Sequence, residues 1–504
     1  MVVFDQKIME EELSMTRLVR PQTLRGFRDL LPEEMLLRNE VIDRVRRVYE
    51  SYGYVPLDTP ILELLPTLVG TGGEEADKQI FQLETPEKQP IGMRFDLTVP
   101  FARVVAQYSP HEIKLPFRRY HIGPVFRADE PHVEQGRFRQ FVQFDVDIAG
   151  TTSIAADAEI VAVMSSALKS LDLSPVSSES DRGYFIRVNN RRLLDAFLAG
   201  IGVDDEGRAR HVLRVLDKRD KISDNDLIAE LGAGRVDRSG DPISGVGLDA
   251  DTIKAILDFV SVEGSSRAEV VGALADRIAP GDLAHIALAE VNELLAHLEG
   301  LGVEESAARF DPSLARGLAY YTGTVYEGTL SQAGVGSVIG GGRYDGLVSR
   351  FRDESVPAVG ASIGLDRLIT GLRNLKVDLG TTRTAAQVLV LMMPKVEPAL
   401  ASTAAAQLRA AGIATELYVG DAVGKVGRQL AYANAQGFDV AIILGASEIQ
   451  NNTVTIKDLR EGLAARGDIM DNEQFRSAGS AGQSTHPREQ LTQRVAELLL
   501  GSRS

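Results

Sequence analysis

The chain has 504 residues, no cysteine and a formal net charge of −16, from 55 Lys and Arg against 71 Asp and Glu. Without thiols, disulfides, zinc ribbons and cysteine nucleophiles are excluded together. The acidic balance excludes a surface that coats polyanions throughout, although a local basic patch stays open. Such a length predicts two to four domains. No stretch reaches the roughly 18 apolar residues of a membrane span, and residues 1–24, with Asp5, Glu10, Glu11 and Glu12, show no targeting pattern. A cytoplasmic protein with no membrane contact is expected.

The first helix is predicted from Pro32 to about Ser51, with proline in its first turn and Glu33 and Glu34 near its positive end. Asp58–Leu65 reads as a short strand, and Pro60 within it points to an edge or an interface. Tyr120–Phe126 and Phe138–Ile148 are aromatic and β-branched, with Asp129-Glu130-Pro131 and Gly136 as turn chemistry between them. Arg127, Arg137 and Arg139 stand where a central sheet normally carries apolar side chains. A buried guanidinium is costly unless it meets an anion. A concave sheet lined with arginine therefore suggests a phosphate site, and a hairpin with a salt-bridged outer face is the plainer alternative.

Residues 184–190 are strand-like, and 191–300 show helical periodicity that looks like an insertion between two sheet regions. The basic run 208–221 is either a nucleic-acid patch or a solvated helix face. Strands and glycine turns return over 318–370, followed by a helix from Gly364. In Leu314–Glu327 an arginine precedes a Tyr-Tyr pair and a strand, which suits a polar pocket for a planar ligand or a core strand with hydroxyls at its rim. Gly340, Gly341 and Gly342 allow close approach of a ligand, but neither they nor Gly420–Lys425 satisfy a nucleotide-loop pattern. Gly360–Gly364 matches G-x-S-x-G. A triad would need an acid and then a histidine after Ser362, and His486 is the only later histidine, so a hydrolase is set aside.

A linker is predicted over 374–386. Beyond it, strands at Ala386–Met392, Thr415–Val419 and Asp439–Leu444 alternate with helices at Pro398–Ala411 and Val423–Gln436, which predicts a parallel sheet with right-handed crossovers. Residues 466–488, rich in glycine and serine, are expected to form a mobile excursion.

Several segments together resemble histidyl-tRNA synthetases, a family of class II aminoacyl-tRNA synthetases, over about residues 21–465. RGFRDLLPEE at 25–34 is similar to the family's N-terminal signature, and YGYVPLDTPILE at 52–63 to motif 1. Residues 117–150 resemble motif 2, and VPAVGASIGLDRL at 356–368 motif 3. Segments 314–327 and 337–347 resemble the two histidine-specific motifs. The implied fold is an α+β catalytic core, built on a class II synthetase antiparallel sheet with flanking helices. A helical insertion and a C-terminal α/β anticodon-binding domain complete it. The implied boundaries are 1–20 for an N-terminal extension, 21–190 for the first part of the core, 191–305 for the insertion, 306–375 for the second part, and 385–504 for the anticodon-binding domain.

The resemblance implies ligation of L-histidine to tRNA(His) through a histidyl-adenylate, with ATP consumed and Mg²⁺ accompanying the phosphates, by a homodimer formed through motif 1. Catalysis then needs cationic stabilisation and fixed geometry, not a protein nucleophile. By resemblance Arg127 binds the α-phosphate beside the substrate carboxylate, Arg316 is the catalytic arginine on the other side, and Arg137 holds the outer phosphates. Phe141 and Arg367 sandwich the adenine, with Asp129 near its amino group. Asp96, Leu97, Thr98 and Gln143 match residues around the substrate ammonium. Asp147, Tyr320, Tyr321 and Tyr344 match those around the imidazole.

Some positions depart from the family pattern. Ala319 replaces the usual Asp of RGLDYY, Asp96 replaces a frequent Glu, the motif 2 loop is longer than in bacterial members, and 466–490 has no family counterpart. Tyr418, Arg428 and Tyr432 are candidate anticodon contacts, and Lys457 is either such a contact or a solvated strand end. The rival readings are a regulatory paralogue, which would lack Arg316, and a decayed RNA-binding module, against which Arg127, Gln143, Arg316 and Tyr321 all speak.

Overall fold

The computed structural model describes residues 20–70, 77–173, 183–219, 221–237, 240–315, 321–377, 379, 383–394, 396–464 and 482–500. Two compact units form, Met1–Asp29 with Ile42–Val377, and Leu30–Val41 with Asp378–Ser504.

The first helix, α1 (Pro32–Ser51), runs over the predicted residues. After it come β1 (Val55–Pro56), β2 (Leu62–Leu64), α2 (Leu65–Leu68), β3 (Gln82–Glu84), β4 (Pro90–Met93) and α3 (Thr98–Tyr108). The strand expected at Asp58–Leu65 is thus confined to its last residues. Pro60 has no N–H to give, and the Thr59 carbonyl is spent on the Arg94 guanidinium at 2.5 Å, so no ladder extends through them.

The two central strands are β5 (Phe117–Phe126) and β6 (Gln140–Ala149), close to their expected bounds. The element α4 (Ile154–Lys169) follows, opened by Ser153, whose hydroxyl accepts from the Ala155 N–H at 3.3 Å. Next comes β7 (Tyr184–Asn190). Helices α5 (Arg191–Gly200), α6 (Glu206–Leu216) and α7 (Asp224–Leu231), a hairpin of β8 (Gly234–Val236) and β9 (Pro242–Ser244), and helices α8 (Ala250–Val260), α9 (Arg267–Ala275) and α10 (Asp282–Gly300) then intervene. Asn190, Asp205, Ser223, Asp249 and Ser266 cap α5 to α9 with side-chain acceptors. These helices share an apolar core in which the rings of Phe197 and Phe259 stack 3.9 Å apart. The chain re-enters the sheet as β10 (Ala308–Phe310), β11 (Thr324–Leu330), β12 (Ser337–Arg343) and β13 (Ala358–Gly364), and α11 (Leu365–Asn374) follows.

The sheet order is β1-β5-β6-β13-β12-β11-β7-β10. Pairing is antiparallel from β5 through to β7, with parallel edges β1 and β10. Its register sorts the side chains. Directly opposed positions share a face. One face carries Tyr120, Phe144, Val146, Ile339 and Ile363 and lies under α1 and α4. Tyr49 of α1 meets Phe144 with rings 4.9 Å apart, and the Tyr326 hydroxyl donates to the Asp157 carbonyl of α4 at 3.1 Å. The opposite face carries Arg119, His121, Gln143, Asp145, Asp147 and Ser362 among the glycines Gly340, Gly342, Gly360 and Gly364. That polar face is the floor of the site.

In the second unit, β14 (Val388–Val390), α12 (Pro398–Ala410), β15 (Thr415–Leu417), α13 (Val426–Gln436) and β16 (Val440–Ile443) follow the predicted alternation, and Gly437 at φ 82° closes α13. They are succeeded by α14 (Ala446–Gln450), β17 (Thr453–Asp458), α15 (Leu459–Ala464), β18 (Gln483–Pro487) and α16 (Leu491–Leu500). The order is β15-β14-β16-β17-β18. Only β15, β14 and β16 are parallel. Those three are the strands whose alternation predicted parallel pairing, while β17 and β18, beyond that alternation, run antiparallel and make the whole sheet mixed.

Most of the expected Gly/Ser-rich excursion lies outside the described residues, but its end, Gln483–Pro487, pairs as an edge strand. Lys457 is buried within β17, not solvated at a strand end. Tyr418 is buried too, and the Tyr432 hydroxyl is committed to Glu416 at 2.8 Å. Of the four candidate anticodon contacts only Arg428 is exposed.

Candidate active site

A cavity of about 520 Å³ opens over the polar face of the first unit's sheet. Of the residues expected around the amino acid, Asp96, Thr98, Gln143, Asp147, Tyr321 and Tyr344 line it. So do Arg127, Asp129, Arg137, Phe141 and Arg367, expected around the nucleotide. Arg316, Ala319 and Tyr320 lie outside the described residues. Leu97 does not line the cavity. Its side chain is fully buried at the start of α3, and its carbonyl accepts from Arg119 Nη2 at 3.1 Å.

For the arginines at 127, 137 and 139 two readings were open, a buried phosphate site and a salt-bridged outer face. The structure leaves Arg137 exposed and Arg127 and Arg139 half-buried, because all three sit at or beyond the loop that joins β5 to β6. Arg127 lies over the Phe95 ring at 4.2 Å and near Phe141 at 5.1 Å, and its Nε donates to the Phe95 carbonyl at 3.2 Å. Arg137 meets Asp129 at 3.3 Å. Arg367 donates to the Ser337 carbonyl at 2.6 Å, at the start of α11. Asp366 beside it holds Arg28 at 2.8 Å and accepts from the Val142 N–H at 2.8 Å, which ties the N-terminal signature and motif 3 to the same strand. From the insertion, Asp217 and Lys221 also reach the cavity. The rest of the basic run is largely committed within its own fold. Arg208 bonds the Gly247 carbonyl, Lys218 pairs with Glu230, and Arg219 bonds the Val260 carbonyl.

On the polar face of the sheet a fully buried guanidinium is that of Arg119, wholly shielded on β5. It sits 2.8 Å from Asp147 and 3.9 Å from Asp145, and over the Phe101 ring at 4.4 Å. The Tyr344 hydroxyl donates to the other oxygen of Asp147. Burial raises the Asp147 carboxyl above its ordinary range, and Arg119 and Tyr344 oppose the rise. Burial pushes Asp145 up to about 7. Asp96 is likewise raised by burial, against the Val99 N–H that it accepts at 2.9 Å. Two acids share one guanidinium here, so Asp145 is the less compensated of the two.

Arg119 and Asp145 were not singled out from the sequence, and Ser362 was considered there only as a hydrolase nucleophile. The signal was present as alternation. Residues 119, 121 and 123 alternate with Tyr120 and Ile122, and 143, 145 and 147 with Phe144 and Val146, a period of two that marks one polar face.

The glycines of this face are needed for space. A Cβ on Gly360 would lie 2.0 Å from Asp147 Oδ1 and 2.7 Å from the Val146 carbonyl. Gly360→Ala is expected to displace the Asp147 carboxylate and destabilise the fold by about 1–3 kcal/mol. Calorimetric titration with histidine should show affinity lowered by more than tenfold. Unchanged affinity would mean that Asp147 is not held by this glycine.

A family model described as histidyl-tRNA synthetase matches residues 26–368. The chain belongs to the histidyl-tRNA synthetase family. A second model, described as an anticodon binding domain, matches residues 387–472. The chain is 40% identical over 503 residues to the histidine–tRNA ligase of Rhizobium rhizogenes, covering 95% of this chain and 97% of that one. It is 37% identical over 443 residues to the ligase of Rhodopirellula baltica, covering 88% and 94%. Among solved structures, the histidyl-tRNA synthetase of Nostoc is 29% identical with a TM-score of 0.75, over 95% of this chain and all of that one. A structure from Bacillus halodurans, titled an ATP phosphoribosyltransferase regulatory subunit/histidyl-tRNA synthetase, is 25% identical with a TM-score of 0.66, over 82% and 97%. The histidyl-tRNA synthetase sheet with flanking helices and the separate C-terminal α/β unit are the class II arrangement expected from the motifs.

Proposed function

We propose that the chain ligates L-histidine to tRNA(His) in two steps. The histidine carboxylate attacks the α-phosphorus of ATP, the bond to the pyrophosphate breaks, and histidyl-adenylate forms. A terminal hydroxyl of the tRNA then attacks the acyl carbon, and AMP leaves. The observation that carries this reading is one cavity lined both by the acid–tyrosine pair Asp147 and Tyr344 and by the cation Arg127.

Asp147, Tyr320, Tyr321 and Tyr344 surround the imidazole. An acceptor that is itself oriented by a buried arginine suits a ring that carries an N–H donor. Asp96, Thr98 and Gln143 receive the ammonium. A site that pairs polar groups in this way strongly rejects side chains that lack them. Arg127 and Arg316 flank the α-phosphate and offset charge as it builds on the phosphorane. Arg137 holds the outer phosphates, Phe141 and Arg367 sandwich the adenine, and Asp129 takes its amino group.

Among the described residues no three His, Cys, Asp or Glu side chains are grouped to hold a metal ion. Mg²⁺ is accordingly assigned to the substrate, bound by the phosphate oxygens of MgATP. The partners are tRNA and a second copy of the chain. Val55, Ile61, Leu62, Leu64 and Leu83 are exposed around motif 1, and an apolar patch of that kind fits a homodimer face. Among the described residues no helix is long and apolar enough to cross a membrane, and we assign the protein to the cytoplasm, where its substrates are.

The test is ATP–pyrophosphate exchange with each of the twenty amino acids, without tRNA. Exchange with histidine alone is expected. Histidine binding without exchange would replace this reading with a regulatory paralogue, and exchange with another amino acid would overturn the substrate.

A further inference from the structure

Arg139, conspicuous in the sequence, has no part in the roles above and is not among the residues that line the cavity. It stands where the hairpin of β5 and β6 opens. The strand register ends with Phe126 opposite Gln140 and resumes only at the bridge between His132 and Arg137. Arg127 and Asp129, both assigned to the nucleotide, fall in that opening. The Ala128 N–H between them goes to the Gln79 carbonyl at 2.8 Å. Arg139 supports the residues on either side. Its carbonyl accepts from the Arg127 N–H at 2.8 Å, and its Nε donates to the Asp129 carbonyl at 3.0 Å. Asp129 is thus held twice, by Arg139 at its carbonyl and by Arg137 at its carboxylate.

Arg139 is itself held from the N-terminal signature. Its N–H donates to the Gly26 carbonyl at 2.9 Å. Gly26 belongs to a tight turn closed by the Phe27 N–H on the Leu24 carbonyl at 2.9 Å, and its φ of 82° is the left-handed value that such a turn asks of a glycine. The aliphatic stem of Arg139 lies on this glycine. A Cβ there would meet Arg139 Cγ at 2.8 Å and Cδ at 2.9 Å. The neighbours fasten the same contact, since Arg25 pairs with Glu130 and the Arg28 guanidinium lies over the Phe138 ring at 4.0 Å.

We propose that Arg139, seated on Gly26, is a positioning residue that holds Asp129 at the adenine amino group and so contributes to the choice of nucleotide base. A segment ordered in advance spares the ligand the entropy of ordering it. The proposal rests on the role given above to Asp129. The histidine end of the cavity takes no support from this side chain. Asp147 is fixed by Arg119 and Tyr344, and the Arg127 guanidinium keeps its own anchor on Phe95.

The experiment is ATP–pyrophosphate exchange by the full chain at saturating histidine, with ATP and with purine riboside triphosphate, which lacks only the 6-amino group. The readout is the ratio of the two kcat/KM values, together with the KM for histidine. Arg139→Met removes the Nε donor and keeps most of the stem. It should lower the preference for ATP by about tenfold, the scale of one hydrogen bond, and leave the KM for histidine and the unfolding midpoint in place. Arg139→Lys, which keeps a donor on the same stem, should recover part of the preference. Gly26→Ala displaces the stem and should reproduce the loss, and adding it to Arg139→Met should cost no further preference, because both act on one contact. A ratio unchanged in Arg139→Met overturns the proposal, as does a KM for histidine that rises as much as that for ATP, the mark of a general structural role. A parent protein that exchanges with both nucleotides equally well overturns it too. A parent protein with no exchange overturns the functional reading itself.

Discussion

Arg127→Ala is expected to lower histidine-dependent ATP–pyrophosphate exchange by about 10³-fold, the scale of losing a preorganised cation at a developing phosphorane. Fold and catalysis separate cleanly at this residue. Its guanidinium is half-buried and rests on the rings of Phe95 and Phe141, and the buried Asp96 that it helps to hold down keeps its backbone N–H partners and Arg119 when it is removed. The thermal unfolding midpoint should therefore move by only a few degrees, about what a loss of 1 kcal/mol or less produces. The loss should appear in the rate constant more than in the KM for histidine, because the charge it meets builds mainly in the transition state. Arg137, exposed and paired with Asp129, gives the contrast, and its alanine variant should chiefly raise the KM for ATP. Exchange within tenfold of the parent in Arg127→Ala would remove this arginine from the catalytic set.

Arg119→Met should act in the opposite way, through stability. Arg119 is fully buried and faces Asp147 at 2.8 Å and Asp145 at 3.9 Å. Taking away one partner of a buried ion cluster costs about 3–5 kcal/mol, since the remaining charges stay shielded from water. The pH dependence has a definite sign. Burial raises both carboxyls in the folded state, Asp145 to about 7, above the unfolded value of 3.8. The folded state then binds more protons than the unfolded one, and stability falls as pH rises from about 4 to about 7. Removing Arg119 withdraws the charge that holds both acids down, so the fall steepens. Denaturant titrations should show the largest deficit at pH 8 and a smaller one at pH 5. A deficit independent of pH would mean that methionine fails for reasons of packing alone.

How much of this was legible in the sequence depends on the range of the interactions. The strands at 117–126 and 140–149 stood out because aromatic and β-branched residues mark a pleated surface wherever it pairs. The arginines beside them were also visible, but their burial was not. Arg127, Arg137 and Arg139 are conspicuous in a row, yet they cluster around a loop, while Arg119 hides in the alternation of FRRYHIG. The pairing of β6 with β13, which brings Ser362 to Gln143, is invisible to any local reading, because 219 residues separate them. Motif resemblance supplied what periodicity could not, and eleven of the side chains it named line one cavity. The antiparallel end of the second sheet escaped because β18, with the sequence QSTHP, has no apolar alternation to announce a strand.

The insertion between β7 and β10 has a consequence for synthesis. β6 is made early and pairs with β5 at once, but its other neighbour, β13, lies more than two hundred residues downstream. At translation rates of about 5–20 residues per second, that free edge waits roughly 10–40 s on the ribosome. An unpaired strand of alternating apolar residues would ordinarily recruit a neighbouring nascent chain. Asp145 and Asp147 place negative charge on β6 throughout that interval, before Arg119 is sealed over, and like charges discourage two such strands from zipping together. The acids that later serve the pocket thus protect the half-made sheet on a polysome, where identical chains emerge side by side.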